Sequence, residues 1–176
     1  HLDRMLTGCP RNDWYHVDRY VSSCDRYAVA SLSHDQKCLQ TDTQNGSHES
    51  KAVTLFGDIY SWPGMSDGIS LERICTDGIS EASVSRLKGA FIAAVFDERL
   101  GELQIFNDRF AQRPLYYHVQ DGTLRFSTSL PALLSDGIDA EISAAGLAEF
   151  FTFGQYLDCD TLYRGIKVLP AASVLR

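Results

Sequence analysis

The side chains that could act as nucleophiles or metal ligands are spread thinly along this chain. The five cysteines are Cys9, Cys24, Cys38, Cys75 and Cys159. The histidines after the first residue are equally dispersed, at His16, His34, His48 and His118. An odd number of distant cysteines with no C-x-x-C pair favours reduced thiols in a cytosolic protein over a disulfide framework. Zinc needs closely spaced ligands, so the sequence predicts no structural metal site.

The adjacent residues Asp108 and Arg109 are a second candidate for chemistry. An acid beside a base could form a catalytic pair, or it could brace a turn. Exposed pairs of opposite charge are common and weak, so the pattern favours the brace.

The elements around this pair are predicted to be short antiparallel strands. Four runs are rich in Phe, Tyr, Val, Ile and Leu and are bounded by Gly, Asp or Pro, namely 91–97, 103–107, 115–119 and 124–127. Such runs with turn residues between them predict a meander of antiparallel strands. The residues expected to be buried in it include Phe91, Val95, Ile105 and Leu115.

Helices are predicted on both sides of the strands. Leu2, Met5 and Leu6 share one helical face, and residues 71–75 and 81–87 have short apolar faces. Pro131 suits the first turn of a helix that reaches about Leu134. Asp139 is a good N-cap for the next helix. That helix carries an i, i+3, i+4, i+7 stripe of the kind that forms a core or a domain contact, made of Ala144, Leu147, Ala148 and Phe151.

The order of these residues resembles a known family. The first pattern is L-x-G-x-F-x-x-x-x-x-D, made by Leu87, Gly89, Phe91 and Asp97. It is followed by D-R-x-x-x-x-P-L-Y-Y at 108–117 and by Phe-Ser at 126–127. These patterns are similar to the class II, Ntn-type amidotransferase domain of asparagine synthetases and their relatives. The resemblance implies an α+β fold, an Ntn-hydrolase-like αββα sandwich of two antiparallel sheets flanked by helices. The resemblance is strong after Leu87 and fragmentary before it, and it implies that residues 1–176 are one domain whose first strand is missing. Residues 155–176 are expected to lead toward an absent C-terminal synthetase domain.

The family's catalytic nucleophile is not found in this sequence. In Ntn hydrolases it is the first residue of the first strand, and its own α-amine is the general base. The resemblance places that strand upstream of His1, which has no suitable nucleophilic atom, so His1 is expected to be a fragment boundary. Cys9 has no free α-amine beside it and is interpreted as a small buried or half-buried thiol. No catalytic residue is therefore assigned.

Residues 53–61, V-T-L-F-G-D-I-Y-S, carry the tentative substrate site. They resemble the family's Phe-Asn-Gly-Glu-Ile-Tyr-Asn segment, in which the Asn side chain and the Gly N–H form the oxyanion hole and the acid holds the α-ammonium of glutamine. Gly57 and Asp58 keep the backbone donor and the carboxylate, whereas Phe56 has no donor. The alternative interpretation is a plain core strand with Phe56 or Ile59 facing inward.

Two further family features are weak in this sequence. The family places an Arg for the substrate carboxylate after an early strand, but residues 31–37 read S-L-S-H-D-Q-K. Lys37 does not replace a bidentate guanidinium well. Ser66 and Asp67 are either the remnant of a family Ser-Asp element or a helix N-cap.

Composition excludes several classes of function. The net charge of −7 and the lack of a Lys/Arg cluster argue against nucleic-acid binding. The sequence has no run of 18 apolar residues, so no membrane span is predicted. No signal peptide is recognised, and a cytoplasmic location is therefore expected. The chain has no Ser-Gly-Gly-x-Asp-Ser phosphate loop, so ATP and Mg are expected only in the synthetase half.

Two functional hypotheses remain from the sequence. The first is a glutaminase-degenerate amidotransferase domain that is the structural partner of an ATP-dependent, amide-forming ligase half in amino-acid biosynthesis. The second is a working glutaminase domain of a glutamine-hydrolysing asparagine synthetase, with its Cys upstream. The sequence leaves open whether the domain binds glutamine and whether it forms a homodimer.

Overall fold

A computed structural model describes residues 2–8, 16–22, 24–33, 39–42, 51–61, 87–139 and 141–176. The helices in these ranges are α1 (Leu2–Thr7), α2 (Leu130–Ser135) and α3 (Ala144–Phe153). The strands are β1 (His16–Val21), β2 (Ala28–Ser33), β3 (Leu39–Asp42), β4 (Lys51–Ser61), β5 (Lys88–Asp97), β6 (Glu102–Asn107), β7 (Tyr116–Gln120), β8 (Thr123–Ser127), β9 (Ile166–Val168) and β10 (Val174–Leu175).

The described residues form two compact units. We call the residues between 16 and 113, together with 171–176, the strand unit. The helical unit contains residues 2–8, 114–139 and 141–170. The two main antiparallel sheets, one in each unit, and the helices confirm the predicted α+β class.

The strand unit is built on a five-stranded antiparallel sheet with the order β10-β6-β5-β4-β3. Its central strand β5 has a continuous apolar run that is buried on both faces, which is the pattern of a strand covered on both sides. One face carries a core cluster that includes Phe91 and Phe106, against which Leu55 and Ile59 pack. Strands β1 and β2 pair as a separate two-stranded sheet.

The helical unit is organised around a three-stranded sheet with the order β8-β7-β9. Leu133, Ile138 and Ile166 form its buried cluster, and Met5 and Tyr116 pack against it. Pro131 lies in the first turn of α2, as the sequence predicts. The predicted burial of Phe91, Ile105 and Leu115 is confirmed, whereas Val95 is only partly buried.

The prediction of one continuous meander is wrong at its middle. β5 pairs with β6, and β7 pairs with β8, but β6 and β7 belong to different sheets. The connection at 108–113 folds back on β5 through hydrogen bonds of Asp108, so the chain leaves one sheet before Pro114.

The predicted start of α3 is also wrong. Its N-cap is Ser143, whose Oγ accepts the Gly146 N–H at 3.1 Å, and not Asp139. The predicted stripe at Ala144, Leu147, Ala148 and Phe151 is exposed and is therefore not core. The buried position of α3 is Gly146, where a Cβ would lie 2.6 Å from the Thr161 carbonyl oxygen.

No helix in the described ranges is long and apolar enough to cross a membrane. The helices predicted at 71–75 and 81–87 fall outside these ranges except for Leu87, which is buried just before β5.

Candidate functional site

The segment Phe56–Gly57–Asp58 lies within β4, which pairs with β5 along most of its length. Leu55 faces the core cluster, so its neighbour Phe56 points to the opposite face of the sheet, beside its cross-strand partner Ile92. Phe56 is half-buried and Asp58 is exposed. The segment is a strand and Ile59 packs on the core cluster, which is compatible with both interpretations of its function.

Gly57 interrupts the regular strand geometry. Its φ is +101°, in a region that side chains rarely adopt. A Cβ at this position would lie 2.1 Å from the Ala90 carbonyl oxygen and 2.9 Å from Arg113 Nε. Only glycine therefore permits both the backbone conformation and this close approach.

Asp108 anchors the loop that leads from β6 to the candidate site. Its carboxylate is buried and accepts the backbone N–H groups of Phe91 at 3.2 Å, Phe110 at 2.9 Å and Gln112 at 3.2 Å. Ala111 in this loop has φ +46°, a left-handed conformation that glycine adopts more easily. The predicted role of Asp108 as a turn brace is confirmed, and the brace also ties the loop to β5.

Arg113 lies beside this segment, although the sequence analysis did not single it out. Its guanidinium carbon lies 4.8 Å from the centroid of the Phe56 ring, a cation–π distance. Its Nε donates a hydrogen bond to the Ala90 carbonyl at 3.4 Å. No strand or turn pattern in the sequence indicates this contact, because it depends on how Asp108 holds the 108–113 loop to β5.

The charges beside this segment have few partners. Among the residues that the structure describes, Arg113 makes no hydrogen bond or ion pair beyond the one from Nε. In the same set of residues, the Asp58 carboxylate has no ion-pair or hydrogen-bond partner.

One buried hydroxyl lies on the same face of β4 as Phe56. Thr54 Oγ1 is buried and has no hydrogen-bond partner in the part of the chain that is described. A buried polar atom without a partner usually costs stability, so Thr54 departs from the general rule.

The two described cysteines have pKa values that shift in opposite directions. A hydrogen bond with the Ser22 hydroxyl, whose Oγ lies 3.4 Å from the sulfur, lowers the pKa of Cys24. Asp158 raises the pKa of Cys159, whose thiol donates to that carboxylate at 3.3 Å. Within the described ranges no group of three His, Cys, Asp or Glu side chains could hold a metal ion.

The structure brings together Phe56, Gly57 and Asp58 on one strand, with Arg113 added from the 108–113 loop. Several other sequence candidates lie outside the described residues, namely Cys9, Lys37, Ser66 and Asp67. The oxyanion-hole and ammonium roles of the β4 residues stay predictions.

Comparisons with known proteins identify the family of this chain. A family model for a glutamine amidotransferase domain matches residues 48–176, which include the whole candidate site. The chain is 31% identical over 97 residues to glutamine-hydrolyzing asparagine synthetase 3 of Bacillus subtilis, covering 54% of this chain and 16% of that protein. It is 25% identical over 200 aligned positions to provisionally named glutamine-hydrolyzing asparagine synthetases of Mycobacterium bovis and Mycobacterium tuberculosis. These matches cover 100% of this chain and 30% of each relative, so the chain spans less than a third of their length.

Proposed function

Because the chain belongs to the family of glutamine amidotransferase domains found in asparagine synthetase-like proteins, we propose that it is a member that no longer hydrolyses glutamine. In this proposal the domain is the structural partner of an ATP-dependent, amide-forming half of the same parent protein. ATP and Mg belong to that half and not to this domain.

The observation that carries the proposal is the environment of Phe56. At the position that the resemblance aligns with the family's amide donor, a half-buried aromatic ring has its centroid 4.8 Å from the Arg113 guanidinium carbon. An aromatic ring donates no hydrogen bond to a developing oxyanion. The loss of one such donor typically lowers the rate by about 10²–10³, equivalent to about 2.7–4 kcal/mol.

A specific observation favours the alternative, a working glutaminase domain. Gly57 keeps the positive φ, and Asp58 keeps an exposed carboxylate that could hold an ammonium group. The residue that follows the initiator Met in the parent reading frame separates the two hypotheses. A Cys there keeps the alternative open, and any other residue closes it, because the Ntn mechanism needs a nucleophile with its own α-amine.

The exposed aromatic residues of α3 support the proposed contact with another domain. Phe150, Phe151 and Phe153 are all exposed, and Phe151 is 79% accessible. Large apolar side chains clustered at a surface are typical of interaction sites. The relatives are more than three times longer than their matched region, which leaves ample chain for an ATP-dependent half to cover this face.

A matched pair of variants tests the proposed loss of hydrolysis. The parent protein is prepared with a Cys-first N-terminal strand, native or installed, and glutamate release from glutamine is measured. We expect Phe56→Asn to raise the rate by about 10²–10³, since it restores the second donor. Phe56→Leu removes the ring without adding a donor and should stay at the starting rate.

Activity in the Phe56→Asn protein should be limited by KM and abolished by Asp58→Ala. If the starting protein and Phe56→Leu hydrolyse glutamine as fast as Phe56→Asn, Phe56 does not occupy the donor position, and the alternative function is favoured.

A further inference from the structure

The helix α3 is apolar around most of its circumference, yet it contributes almost nothing to the core of its own unit. Among its ten residues only Gly146 is buried. Its apolar side chains are those of Ala144, Ala145, Leu147, Ala148, Phe150, Phe151 and Phe153. A helix that is hydrophobic all round is normally buried. The composition of α3 is therefore that of a helix covered by another surface.

The aromatic residues at the end of α3 form one ordered patch. Gly154 has φ +71° and ends the helix, and the chain turns back so that the Tyr156 ring stacks on the Phe150 ring with centroids 5.7 Å apart. Phe150 also meets the Phe151 ring edge to face at 6.1 Å. The exposed apolar side chains here, which we call the α3 patch, are Leu147, Phe150, Phe151, Phe153 and Leu157. Side chains that are already ordered lose little conformational freedom when a partner binds.

The α3 patch is edged by negative charge. No Lys or Arg occurs between residues 126 and 163. Glu149 Oε2 accepts the Leu157 N–H at 3.0 Å, and Asp158 follows directly, so both carboxylates lie beside the patch. Among the described residues neither of these two acids forms an ion pair. We call Glu149 and Asp158 the acidic rim.

The sign of this charge decides between two possible occupants of the patch. A second copy of the chain would bring one acidic rim against another, and facing like charges oppose association. A surface with an apolar centre and Lys or Arg at its edge matches both the aromatic rings and the rim. The matched region is 30% of the length of the mycobacterial relatives, which leaves enough chain to provide such a surface.

We propose that the α3 patch docks on an apolar surface of the ATP-dependent half that is edged by Lys and Arg, and that these cations pair with Glu149 and Asp158. This inference rests on the partner that the proposed function gives to the domain, and it adds the charge that the partner surface must carry. The rings at the centre supply apolar contact, whereas the rim selects the partner by charge.

Hydrogen–deuterium exchange of the intact parent protein, read by mass spectrometry, tests the docking. Phe151→Ser removes a ring that is 79% accessible and so leaves the core of the domain intact. We expect the amides of residues 144–157, and those of a segment outside residues 1–176, to exchange several-fold faster in this variant. Phe110→Ser is the matched control, because it removes a ring of the strand unit that is 72% accessible, and it should change neither segment.

A charge-neutral variant tests the acidic rim. Glu149→Gln combined with Asp158→Asn keeps the side-chain shapes and should also speed exchange of residues 144–157, by a smaller factor than Phe151→Ser. Raising NaCl from about 0.05 M to about 0.5 M should have the same effect on the unchanged protein, since salt screens exposed ion pairs. Asp121→Asn, which removes an exposed carboxylate in the turn between β7 and β8, should have no effect.

Carbodiimide crosslinking of mixed ¹⁴N- and ¹⁵N-labelled parent protein identifies the occupant. We expect links from Glu149 or Asp158 to Lys residues outside 1–176, with both linked peptides carrying the same isotope. Linked peptides of mixed isotope would show that a second copy covers the patch and would overturn the inference.

Equal exchange of residues 144–157 in Phe151→Ser and Phe110→Ser would also overturn the inference. Thermal denaturation checks that each variant folds, and Phe153→Ser replaces Phe151→Ser if the latter unfolds. Ammonia release from glutamine by a parent protein with a docked α3 refutes the proposed loss of hydrolysis and leaves this inference standing. An undocked α3 without ammonia release refutes this inference alone.

Discussion

Two arginine–aspartate combinations, one in each unit, differ in how their charges are used. In the helical unit Arg125 Nε donates to Asp136 Oδ2 at 2.8 Å, and the Asp136 side chain is fully buried. In the strand unit Arg113 and Asp58 form no such pair, and each lacks an ionic partner among the described residues. The charges of the first combination meet in a hydrogen-bonded pair, whereas those of the second have no such partner among the described residues.

Two buried threonine hydroxyls, one in each unit, also differ in whether they have hydrogen-bond partners among the described residues. The buried Thr161 of the helical unit donates to the carbonyl of Ile166 at 2.8 Å and accepts the Tyr163 N–H at 3.1 Å. In the strand unit the Thr54 hydroxyl is buried with no partner among the described residues, and Gly57 is held at a positive φ. Among the described residues, the buried hydroxyl without a partner thus lies on the strand that carries the candidate site.

The largest effect is expected from a variant that breaks the buried ion pair of the helical unit. Asp136→Asn removes the charge but keeps the shape, and it leaves Arg125 without compensation. We expect a loss of about 3–4 kcal/mol in the free energy of unfolding, measured by urea denaturation. Glu141→Gln is the control, because Glu141 pairs with Arg164 at 3.1 Å in an exposed position, and it should cost less than about 0.5 kcal/mol. Equal losses would contradict the structural role of the buried pair.

The next effect comes from two glycines with positive φ. Gly57→Ala must place a Cβ against the Ala90 carbonyl, so we expect a loss of about 2–3 kcal/mol in the free energy of unfolding. Gly122→Ala, in the turn between β7 and β8, meets no atom within 4 Å and should cost only about 1 kcal/mol. A Gly57→Ala protein as stable as Gly122→Ala would show that the backbone at Gly57 is not constrained.

Two threonine variants sharpen the comparison of buried hydroxyls. Thr161→Val removes a hydroxyl that makes several hydrogen bonds and should cost about 1–2 kcal/mol. Thr54→Val replaces a hydroxyl without a described partner by a methyl group of similar shape, so it should be neutral or stabilise by up to about 1 kcal/mol. Chemical denaturation of both variants gives these values. A Thr54→Val loss as large as that of Thr161→Val would mean that the Thr54 hydroxyl is bonded.

The smallest effect concerns the two described thiols. Cys24 has a lowered pKa and is exposed, so a larger share of it is thiolate at any pH below its ordinary pKa. The raised pKa of Cys159 has the opposite consequence. Alkylation by iodoacetamide at neutral pH, followed by peptide mass spectrometry, should modify Cys24 several-fold faster. Ser22→Ala should slow the alkylation of Cys24 and leave that of Cys159 unchanged. Faster alkylation of Cys159 than of Cys24 would refute the assigned pKa shifts.

Sequence patterns predicted strands β4 to β8 because their apolar runs and turn residues are local. The same patterns failed at Asp139, since Asp and Ser are both good N-caps and the choice of Ser143 depends on the packing of Gly146 against Thr161. The exposure of the α3 stripe at Phe151 was equally hidden, because periodicity identifies an apolar face but not what covers it.

The candidate site was predictable only in part for a similar reason. Phe56, Gly57 and Asp58 are adjacent in the sequence, so their common strand follows from a local pattern. Arg113 reaches them only because Asp108 bonds across to β5 and folds the loop back. Those contacts are tertiary, and no spacing rule for strands or turns contains them.

The most direct test of the central claim is ammonia release from amide-¹⁵N-labelled glutamine by the unmodified parent protein. Because Phe56 supplies no oxyanion donor, we predict that the ¹⁵N-ammonium signal in NMR equals that of the protein-free blank at millimolar glutamine. A signal clearly above the blank that disappears after thiol alkylation would contradict the account, since it would demonstrate a working cysteine glutaminase.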